Sequence, residues 1–589
     1  MVLARVPLAS PLLLSLALVP ASMLAGGCRG DDAPGDEHGS ETGDGDGDGD
    51  GDGDGDGDRL DAELGLLRPD ASAVDPANEP VPLGVRGVAG FAPPVPADQR
   101  DAVAAELALV DADGVEITSD PSWAADGSAL VRIPRGLLDP GRGYQLRAGP
   151  TDGEAGLVAP ATLEFRTKLA SDLDGDGFAE LVLASPGRPQ GGIGDVGAVA
   201  VFSGSTAAIA SAPTWTLVGH GDPEEAFGLS HATGDFDGDG YDDLLVGASG
   251  RADFTGAAEL YRGGPAGIAA SPDMTWTGAA LGEFFAARVA AIGDVNGDGF
   301  EDLAIAAPRA LVDGHPSAGR VEVFLGAAAG PPASPDLVIL GESDYAELGT
   351  WMVAGDFDDD GLDELVVCAP RYDGGRGAAT IFPGTPTGPS LDPTEVLTLL
   401  GENAKDTFCT HPTVTDVDGD GVDDLAVGAL GWAEGVGAVA VYPGSPAGLD
   451  PNVFDRLIGD AQPDLFGLVV SLGDLDGDGD DELVIGAPYA SAGARDGAAY
   501  LHLGGPTGPA QVPSQTWQGS GTELFGLVHP AVDLDGDGWL DLAIAAPGHD
   551  GGTGRAAIYL GDAQGFAATP IVVLGETPDD RLGDYLPPT

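Results

Sequence analysis

Basic residues, histidine and cysteine are all scarce in this chain of 589 residues. Lys and Arg total 25 against 96 Asp and Glu, which leaves a formal net charge of −71. Such a surplus repels nucleic-acid backbones and anionic membrane surfaces, so neither is expected as a partner. Three cysteines cannot make a disulfide-rich scaffold, and eight histidines argue against a multi-histidine metal enzyme. The hydrophobic fraction of 43% still allows a sizeable core, in two or more domains or one large repeat array.

The first 27 residues have the pattern of a secretory signal peptide. Arg5 supplies the positive charge, and the apolar segment 12–19 is too short for a transmembrane helix. Residues 24–28 (Leu-Ala-Gly-Gly-Cys) resemble a bacterial lipobox, which implies that Cys28 is lipidated. The expected location is therefore the cell envelope, at the outer membrane or cell surface, with membrane contact only through the N-terminal lipid. Plain secretion is the alternative.

Residues 28–65 are dominated by glycine and aspartate. Eight consecutive Gly-Asp pairs run from Gly43 to Asp58. A segment with no apolar face and strong self-repulsion cannot bury a core, so the composition predicts a disordered tether. The tether would hold the folded part away from the membrane; weak binding of Ca²⁺ is the alternative role.

Residues 66–167 contain short alternating stretches separated by Pro, Gly and Asp, such as 129–133 and 144–148. Alternation with frequent turn signals predicts a β-sandwich. The run 133–144 and the terminal Phe165-Arg166-Thr167 resemble a bacterial Ig-like domain of the surface-layer type. We expect a spacer, because the segment contains no nucleophile and base in a catalytic pattern.

From Asp172 onward a nine-residue acidic motif recurs seven times, with successive starts 63, 59, 62, 60, 58 and 59 residues apart. A fixed period of this length indicates a repeat architecture. Side-chain oxygens at positions 1, 3, 5 and 9, with the carbonyl of position 7, can converge on one hard cation, and glycine at position 6 permits the turn. No Lys or Arg lies within these motifs to compensate their carboxylates.

The motifs therefore predict about seven Ca²⁺ ions. Mg²⁺ is less favoured because it demands stricter geometry, and acidic turns without metal are the alternative. The candidate ligands are Asp172, Asp174, Asp176, Phe178 and Glu180; Asp235, Asp237, Asp239, Tyr241 and Asp243; Asp294, Asn296, Asp298, Phe300 and Asp302; Asp356, Asp358, Asp360, Leu362 and Glu364; Asp416, Asp418, Asp420, Val422 and Asp424; Asp474, Asp476, Asp478, Asp480 and Glu482; and Asp533, Asp535, Asp537, Trp539 and Asp541.

Each acidic motif is followed by an alternating strand pattern, so it is a β-hairpin loop and not an EF-hand. Four strand candidates per repeat, in seven repeats, predict an all-β chain with a seven-bladed β-propeller. Phe-Gly precedes the loop and Gly-Ala-Pro follows it, as at Phe466-Gly467 and 486–488. With these motifs, residues 168–589 resemble the FG-GAP repeats of the integrin α-subunit propeller and its bacterial relatives. The first repeat lacks Phe-Gly, and we expect the C-terminal segment 581–584 to complete that blade.

The resemblance implies a non-enzymatic binding or adhesion module at the cell surface, whose partner is an unidentified protein or glycan. We also expect the protein to be a monomer. A glycan-binding lectin is the alternative, since Trp215, Trp276 and Trp517 recur at equivalent fourth-strand positions. A polysaccharide-active enzyme on the propeller scaffold is less favoured because no paired acids or histidine base stand out. Cys368 and Cys409 replace motif glycines in adjacent repeats; a disulfide is favoured in an exported protein, with two isolated thiols as the alternative.

The connections between second and third strands carry much of the positive charge and several aromatic residues. Clustered Arg, Tyr and Trp are typical of binding surfaces, whereas ordinary solvated loops are the alternative. The residues concerned are Arg188, Arg251, Arg309, His315, Arg371, Tyr372, Arg376, Trp432, Tyr489, Arg495 and His549.

Overall fold

The computed structural model describes segments between residues 62 and 166, and nearly all of residues 170–584. The segments are 62–67, 73–74, 86–91, 95, 100–104, 107–111, 117, 119–123, 129–134, 143–148 and 161–166. The gaps after residue 170 are 207–208, 211, 476–477, 491–495, 522, 530–531, 538 and 563–564. The expected signal peptide, lipidated Cys28, residues 28–61 of the expected tether, Asp476 and Arg495 therefore lie outside the described residues.

The N-terminal segments form two antiparallel sheets with strand orders β2-β1-β3-β6-β5 and β4-β7-β8. Leu130 of the first sheet and Leu146 of the second lie in one apolar core. The first strand starts at Ala62, within the segment assigned above to the tether, because Leu64 and Leu66 alternate toward the core. The elements are β1 (Ala62–Leu67), β2 (Ala73–Val74), β3 (Arg86–Phe91), α1 (Arg100–Ala104), β4 (Leu107–Asp111), β5 (Ser119–Trp123), β6 (Ala129–Pro134), β7 (Gly143–Ala148) and β8 (Ala161–Arg166).

Seven further antiparallel sheets follow, and they are the seven blades of a β-propeller. Blades one to three contain β9 (Glu180–Ser185), β10 (Ala198–Ser203), β11 (Trp215–Val218); β12 (His231–Gly234), β13 (Asp243–Ala248), β14 (Ala257–Tyr261), β15 (Met274–Thr277); and β16 (Arg288–Ala291), β17 (Leu303–Ala307), β18 (Arg320–Phe324), β19 (Leu337–Leu340). Blades four and five contain β20 (Trp351–Gly355), β21 (Glu364–Ala369), β22 (Ala378–Phe382), β23 (Leu397–Leu400); and β24 (Phe408–Thr415), β25 (Asp424–Ala429), β26 (Ala438–Tyr442), β27 (Asp455–Ile458). Blades six and seven contain β28 (Leu468–Ser471), β29 (Leu483–Ala487), β30 (Ala498–His502), β31 (Gln515–Gln518); and β32 (Leu527–Val528), β33 (Leu542–Ala546), β34 (Arg555–Tyr559), β35 (Ile571–Leu574).

The position of a strand within its blade explains its sequence pattern. Second strands such as Asp243–Ala248 are buried along their whole length, because both faces pack against neighbouring blades. Fourth strands such as Met274–Thr277 have exposed and buried residues in mixed order, since they form the outer edge. The core consequently lies between blades; Phe236 and Leu245 of blade two, for example, pack with Phe285 and Ile305 of blade three.

Short helical turns follow the second strand in four blades. They are α2 (Arg251–Phe254), α3 (Tyr372–Gly375), α4 (Trp432–Gly435) and a 3₁₀ turn at His549–Gly551. Within the part of the chain that the structure describes, no helix is long and apolar enough to cross a membrane.

The C-terminal segment supplies the inner strand that the first repeat lacks. The Gly583 N–H donates to the Ala184 carbonyl at 2.8 Å, as the Gly228 N–H donates to the Gly247 carbonyl at 2.9 Å in blade two. Leu582 is buried against the first blade in the position that phenylalanine holds in five of the other six blades. The two ends of the repeat array therefore meet in one blade, as the sequence predicted.

Candidate metal sites

The acidic loops join the first and second strands of the blades, and their own carboxylates shape the turn. In the second loop Asp235 Oδ2 accepts the Gly240 N–H, at positions 1 and 6, over 2.9 Å. In all seven loops the position-5 carboxylate accepts the N–H of position 7 at 2.9–3.2 Å. These bonds bring the side-chain oxygens of one loop to the same side of the chain.

The carboxylate at position 9 fixes the loop to the second and third strands. Asp424 Oδ2 accepts the Val417 N–H at 3.0 Å, and Asp424 Oδ1 accepts the Gly444 N–H at 2.7 Å. Asp302 and Asp541 hold their hairpins in the same way. Position 9 is thus a structural clamp as well as a candidate ligand.

The structure gathers the predicted ligands into compact groups. In five loops, three carboxylates each offer an oxygen within 4.8 Å of the others. The groups are Asp172, Asp174 and Glu180; Asp235, Asp237 and Asp239; Asp356, Asp358 and Asp360; Asp416, Asp418 and Asp424; and Asp533, Asp535 and Asp537. The third loop has an amide, Asn296, at position 3, and the sixth has its position-3 residue outside the described part.

Some oxygens of the predicted ligands are buried and accept no hydrogen bond from the described residues. They belong to positions 3 and 9: Glu180 Oε1, Asp243 Oδ2, Asp358 Oδ1, Asp418 Oδ1 and Asp535 Oδ1. Buried polar atoms in folded proteins are normally paired. Carboxylate oxygens are the ligands that Ca²⁺ prefers, so the donor set fits this cation.

The electrostatics of the loops support the same conclusion. Burial, reinforced by neighbouring carboxylates, raises the pKa of Glu180 to about 9 and that of Glu364 to about 8. Burial likewise raises the pKa of Asp424 and Asp541 to about 7. Hydrogen bonds to the backbone do not offset these effects, whereas a bound divalent cation would stabilise the ionised forms.

Acidic residues at position 8 join one loop to the next, a role that the sequence reasoning missed. Asp363 accepts the Asp294 N–H of the preceding loop at 2.6 Å, and Asp423 accepts the Asp356 N–H at 2.9 Å. Asp481 accepts the N–H at position 1 of the fifth loop at 3.0 Å. Five of the seven motifs have Asp or Glu at position 8, and this was the available signal.

The expectation that the loops lack a compensating cation is wrong for the second loop. The guanidinium of Arg262 forms an ion pair with Asp237 at position 3. It also contacts Asp273 at 3.0 Å and donates to the Ala329 carbonyl at 2.9 Å. Arg262 follows the third strand of its blade, so only folding brings it to the loop.

Many basic residues of the connections between second and third strands contact carboxylates of the same chain. Arg371 contacts Glu347 at 3.0 Å, and His549 contacts Glu523 at 2.9 Å. Arg188, Arg251, Arg309 and His315 also face carboxylates at 2.5–4.0 Å. These contacts give the cluster a structural role, although Arg371 keeps a side-chain exposure of 62%.

The tryptophans that suggested a lectin lie mostly in the core. Trp276 and Trp517 are 5% and 6% exposed, and Trp276 Nε1 donates to the Pro332 carbonyl at 3.1 Å. Trp215 is partly buried against the first and second blades. Trp276 and Trp517 therefore present no exposed platform for sugar rings.

The structure joins Cys368 and Cys409 in a disulfide with a Cα–Cα distance of 5.3 Å. Cys368 lies on β21 of the fourth blade and Cys409 on β24 of the fifth. The bond therefore links the second strand of the fourth blade to the inner strand of the fifth.

Comparison with known families assigns the repeats. The FG-GAP repeat family matches residues 169–202, 227–260, 285–324, 348–382, 410–442, 466–502 and 528–559. The chain carries seven FG-GAP repeats. The six later matches run through the first three strands of their blades, and the first match covers the second and third strands of blade one. All seven matches include the acidic loop.

The FG-GAP region is similar to integrin α subunits. It is 33% identical to Integrin alpha-5 of Xenopus laevis over 223 residues, which cover 35% of this chain and 20% of the relative. It is 34% identical to Integrin alpha-IIb of Homo sapiens over 173 residues, 27% of this chain and 16% of the relative. The FG-GAP chain thus spans a fifth or less of the length of these relatives. A solved structure of surface layer protein SbsC, domains 1-6, aligns at 9% identity over 78% of this chain and 66% of its own, with a TM-score of 0.13, which supports no statement about fold.

Proposed function

We propose that this protein is a non-enzymatic, calcium-dependent binding or adhesion module of the cell surface. The observation that carries the proposal is the repeated set of clustered acidic side chains, several with buried oxygens that accept no hydrogen bond from the described residues. Similarity to integrin α subunits supports an adhesion-type role for the FG-GAP repeats. The protein is proposed to act as a monomer.

In this proposal the ions have a structural role. Side-chain oxygens of positions 1, 3, 5 and 9 would hold each ion, and Ca²⁺ would supply the positive charge that offsets their repulsion. Because position 9 also fixes the second strand, an ion in the loop would stiffen the hairpin. Seven ions would change the formal charge from −71 to about −57.

Calorimetric titration of the metal-free chain with Ca²⁺ tests the sites. We expect about seven ions to bind. The melting temperature in Ca²⁺ should lie well above that in EGTA, because a ligand that binds the native state stabilises it. Asp418→Asn should lower the stoichiometry by about one ion. Asp450→Asn is the matched control, since Asp450 is exposed and lies outside the loops. Equal melts in Ca²⁺ and EGTA would refute the proposal.

Partner recognition requires a separate measurement. A glycan array and a screen of cell-surface proteins, each probed in Ca²⁺ and in EGTA, would distinguish a glycan partner from a protein partner. Binding that needs Ca²⁺ supports the proposed module. Turnover of polysaccharides by the Ca²⁺-loaded chain would instead support the enzyme alternative.

Attachment to the membrane is proposed to occur through a lipid on Cys28. Cys28→Ser should move the protein from the membrane fraction to the soluble fraction and abolish incorporation of labelled fatty acid. Retention in the membrane fraction without label would contradict lipidation.

A further inference from the structure

The inner strands of the blades surround a central cavity of about 490 Å³. Its lining includes residues of β12, β16, β20, β24, β28 and β32, together with β9 of the first blade. This volume lies within the range of small-molecule binding sites in proteins. Most of the wall is apolar, with side chains such as Val289, Val469 and Val528.

The ionisable groups of this cavity are mainly of the basic residue types, in contrast to the rest of the molecule. Arg288, His231, His411 and His529 line it, so the cavity has three of the eight histidines of a chain with a net charge of −71. Among the described lining residues the one carboxylate is Glu180, the position-9 residue of the first loop, whose Oε2 accepts the Leu173 N–H at 2.8 Å. Burial lowers the pKa of the three histidines, that of His529 to about 4, so Arg288 is the group of the described wall that would attract an anion.

The arginine of the cavity is held in a fixed orientation. Its guanidinium carbon lies 3.4 Å from the centroid of the Trp351 ring, and its Nε donates to the Thr350 carbonyl at 2.9 Å. Trp351 in turn contacts the His411 ring, with centroids 3.7 Å apart. A guanidinium stacked and anchored in this way is preorganised to bind a planar anion.

Irregular backbone places His411 in this stack. The pairing of β24 with β25 shifts register between Phe408 and Thr410, and again between Thr410 and Thr413. His411 has a φ of +48°, a conformation that the surrounding structure must enforce. Cys409 lies two positions earlier and is bonded to Cys368, the cross-strand partner of Trp351. Bulges of this kind occur next to functional sites, where they re-aim side chains.

We propose that the central cavity binds a small organic carboxylate. Arg288 would receive the carboxylate group, because its planar fork matches the two oxygens, and the valine-rich wall would contact the apolar body of the ligand. This site is distinct in chemistry from the acidic loops and extends the proposed function to a soluble ligand.

Calorimetric titration of the Ca²⁺-loaded full chain with benzoate tests this site, with benzamide as the neutral ligand of the same shape. We expect benzoate to bind, and we expect the affinity for benzamide to be lower by about tenfold or more. Arg288→Gln should reduce benzoate affinity by about tenfold or more, and Arg288→Lys should restore only part of it. The matched control is Arg309→Gln, because Arg309 also stacks on an aromatic ring, Phe284, but lies outside the cavity.

A second variant keeps the proposal testable if Arg288→Gln does not fold. Val470→Phe leaves the arginine in place and narrows the cavity that Val470 lines, so it should also weaken benzoate binding. Benzoate affinity unchanged by both Arg288→Gln and Val470→Phe would overturn the proposal. So would equal affinity for benzoate and benzamide, or no heat of binding at millimolar benzoate.

Discussion

At the scale of single residues, a carboxylate has a different structural role at each position of the acidic loop. Carboxylates at positions 1 and 5 shape the turn, and the one at position 9 clamps two strands. Position 3 retains buried oxygens, such as Asp358 Oδ1, that accept no hydrogen bond from described residues. Position 3 is therefore where a cation would have most effect.

The raised pKa values predict how stability without calcium depends on pH. Because Glu180 and Glu364 have pKa values of about 9 and about 8 in the folded state, the folded chain binds their protons more tightly than the unfolded chain. The contribution of these two protonated side chains to folding stability is fully present below the pKa of an unfolded glutamate, near 4.3. It is lost as the pH rises through their folded-state pKa values of about 8 and about 9. The melting temperature in EGTA should therefore fall as the pH rises from 5 to 9.

Calcium should reverse this dependence, because it takes the place of the protons and binds better as the carboxylates ionise. Glu364→Gln is the control variant, since it removes one titrating group and should flatten the slope in EGTA. Melting temperatures in EGTA that rise between pH 5 and pH 9 would contradict the assignment.

Arg262 predicts a difference between the second loop and the others. Its guanidinium neutralises part of the charge at Asp237, so Arg262→Gln should raise the Ca²⁺ affinity of one site by about three- to tenfold, the effect of a partly exposed charge pair. The same variant should lower the melting temperature in EGTA, because without calcium the Arg262–Asp237 ion pair offsets part of the negative charge of the loop. Arg456→Gln is the control, because Arg456 pairs with Glu402 away from the loops. Weaker Ca²⁺ binding in Arg262→Gln would show that the arginine supports the site.

At the scale of strands and loops, much could be predicted because local patterns determine the result. Strand patterns and acidic spacing located the hairpins, and Phe466-Gly467 and its equivalents located the inner strands. The sequence did not reveal Arg262 beside Asp237 or the position-8 links between blades, because these contacts join residues far apart in the chain. The register shifts of β24 were equally hidden, since the extra residues there resemble an ordinary strand.

The disulfide between blades four and five makes a prediction at this scale. The bond spans a sequence separation of 41 and should stabilise the fold by up to about 4 kcal/mol through restriction of the unfolded chain. Replacing Cys368 and Cys409 together by Ser should lower the melting temperature of the Ca²⁺-loaded chain by several degrees. Thiol titration of the denatured, unreduced protein lacking Cys28 should find no free thiol. Two free thiols in that assay would show that the bond does not form.

At the scale of the whole molecule, the net negative charge opposes the compact ring of blades. A chain with a net charge of −71 opposes its own compaction, and the blades gather many of those charges into adjacent loops. Calcium would offset part of this repulsion locally, while the interblade cores hold the ring together. The missing first Phe-Gly could be connected with the C-terminal Leu582-Gly583 from sequence alone, because the repeat count left one inner strand unassigned.

Ring closure predicts that a few C-terminal residues control the stability of the entire propeller. Deleting 576–589 would remove the buried Leu582 and the Gly583–Ala184 hydrogen bond, so the melting temperature in Ca²⁺ should fall sharply. Leu582→Ser should cost about 2–4 kcal/mol by placing a small polar group in the core, whereas Leu582→Phe, which restores the residue of five of the other six blades, should be tolerated. Calorimetric melts of the three variants measure the effect. Closure by this segment is excluded if the deletion melts like the full chain, because an open first blade would then be as stable as a closed one.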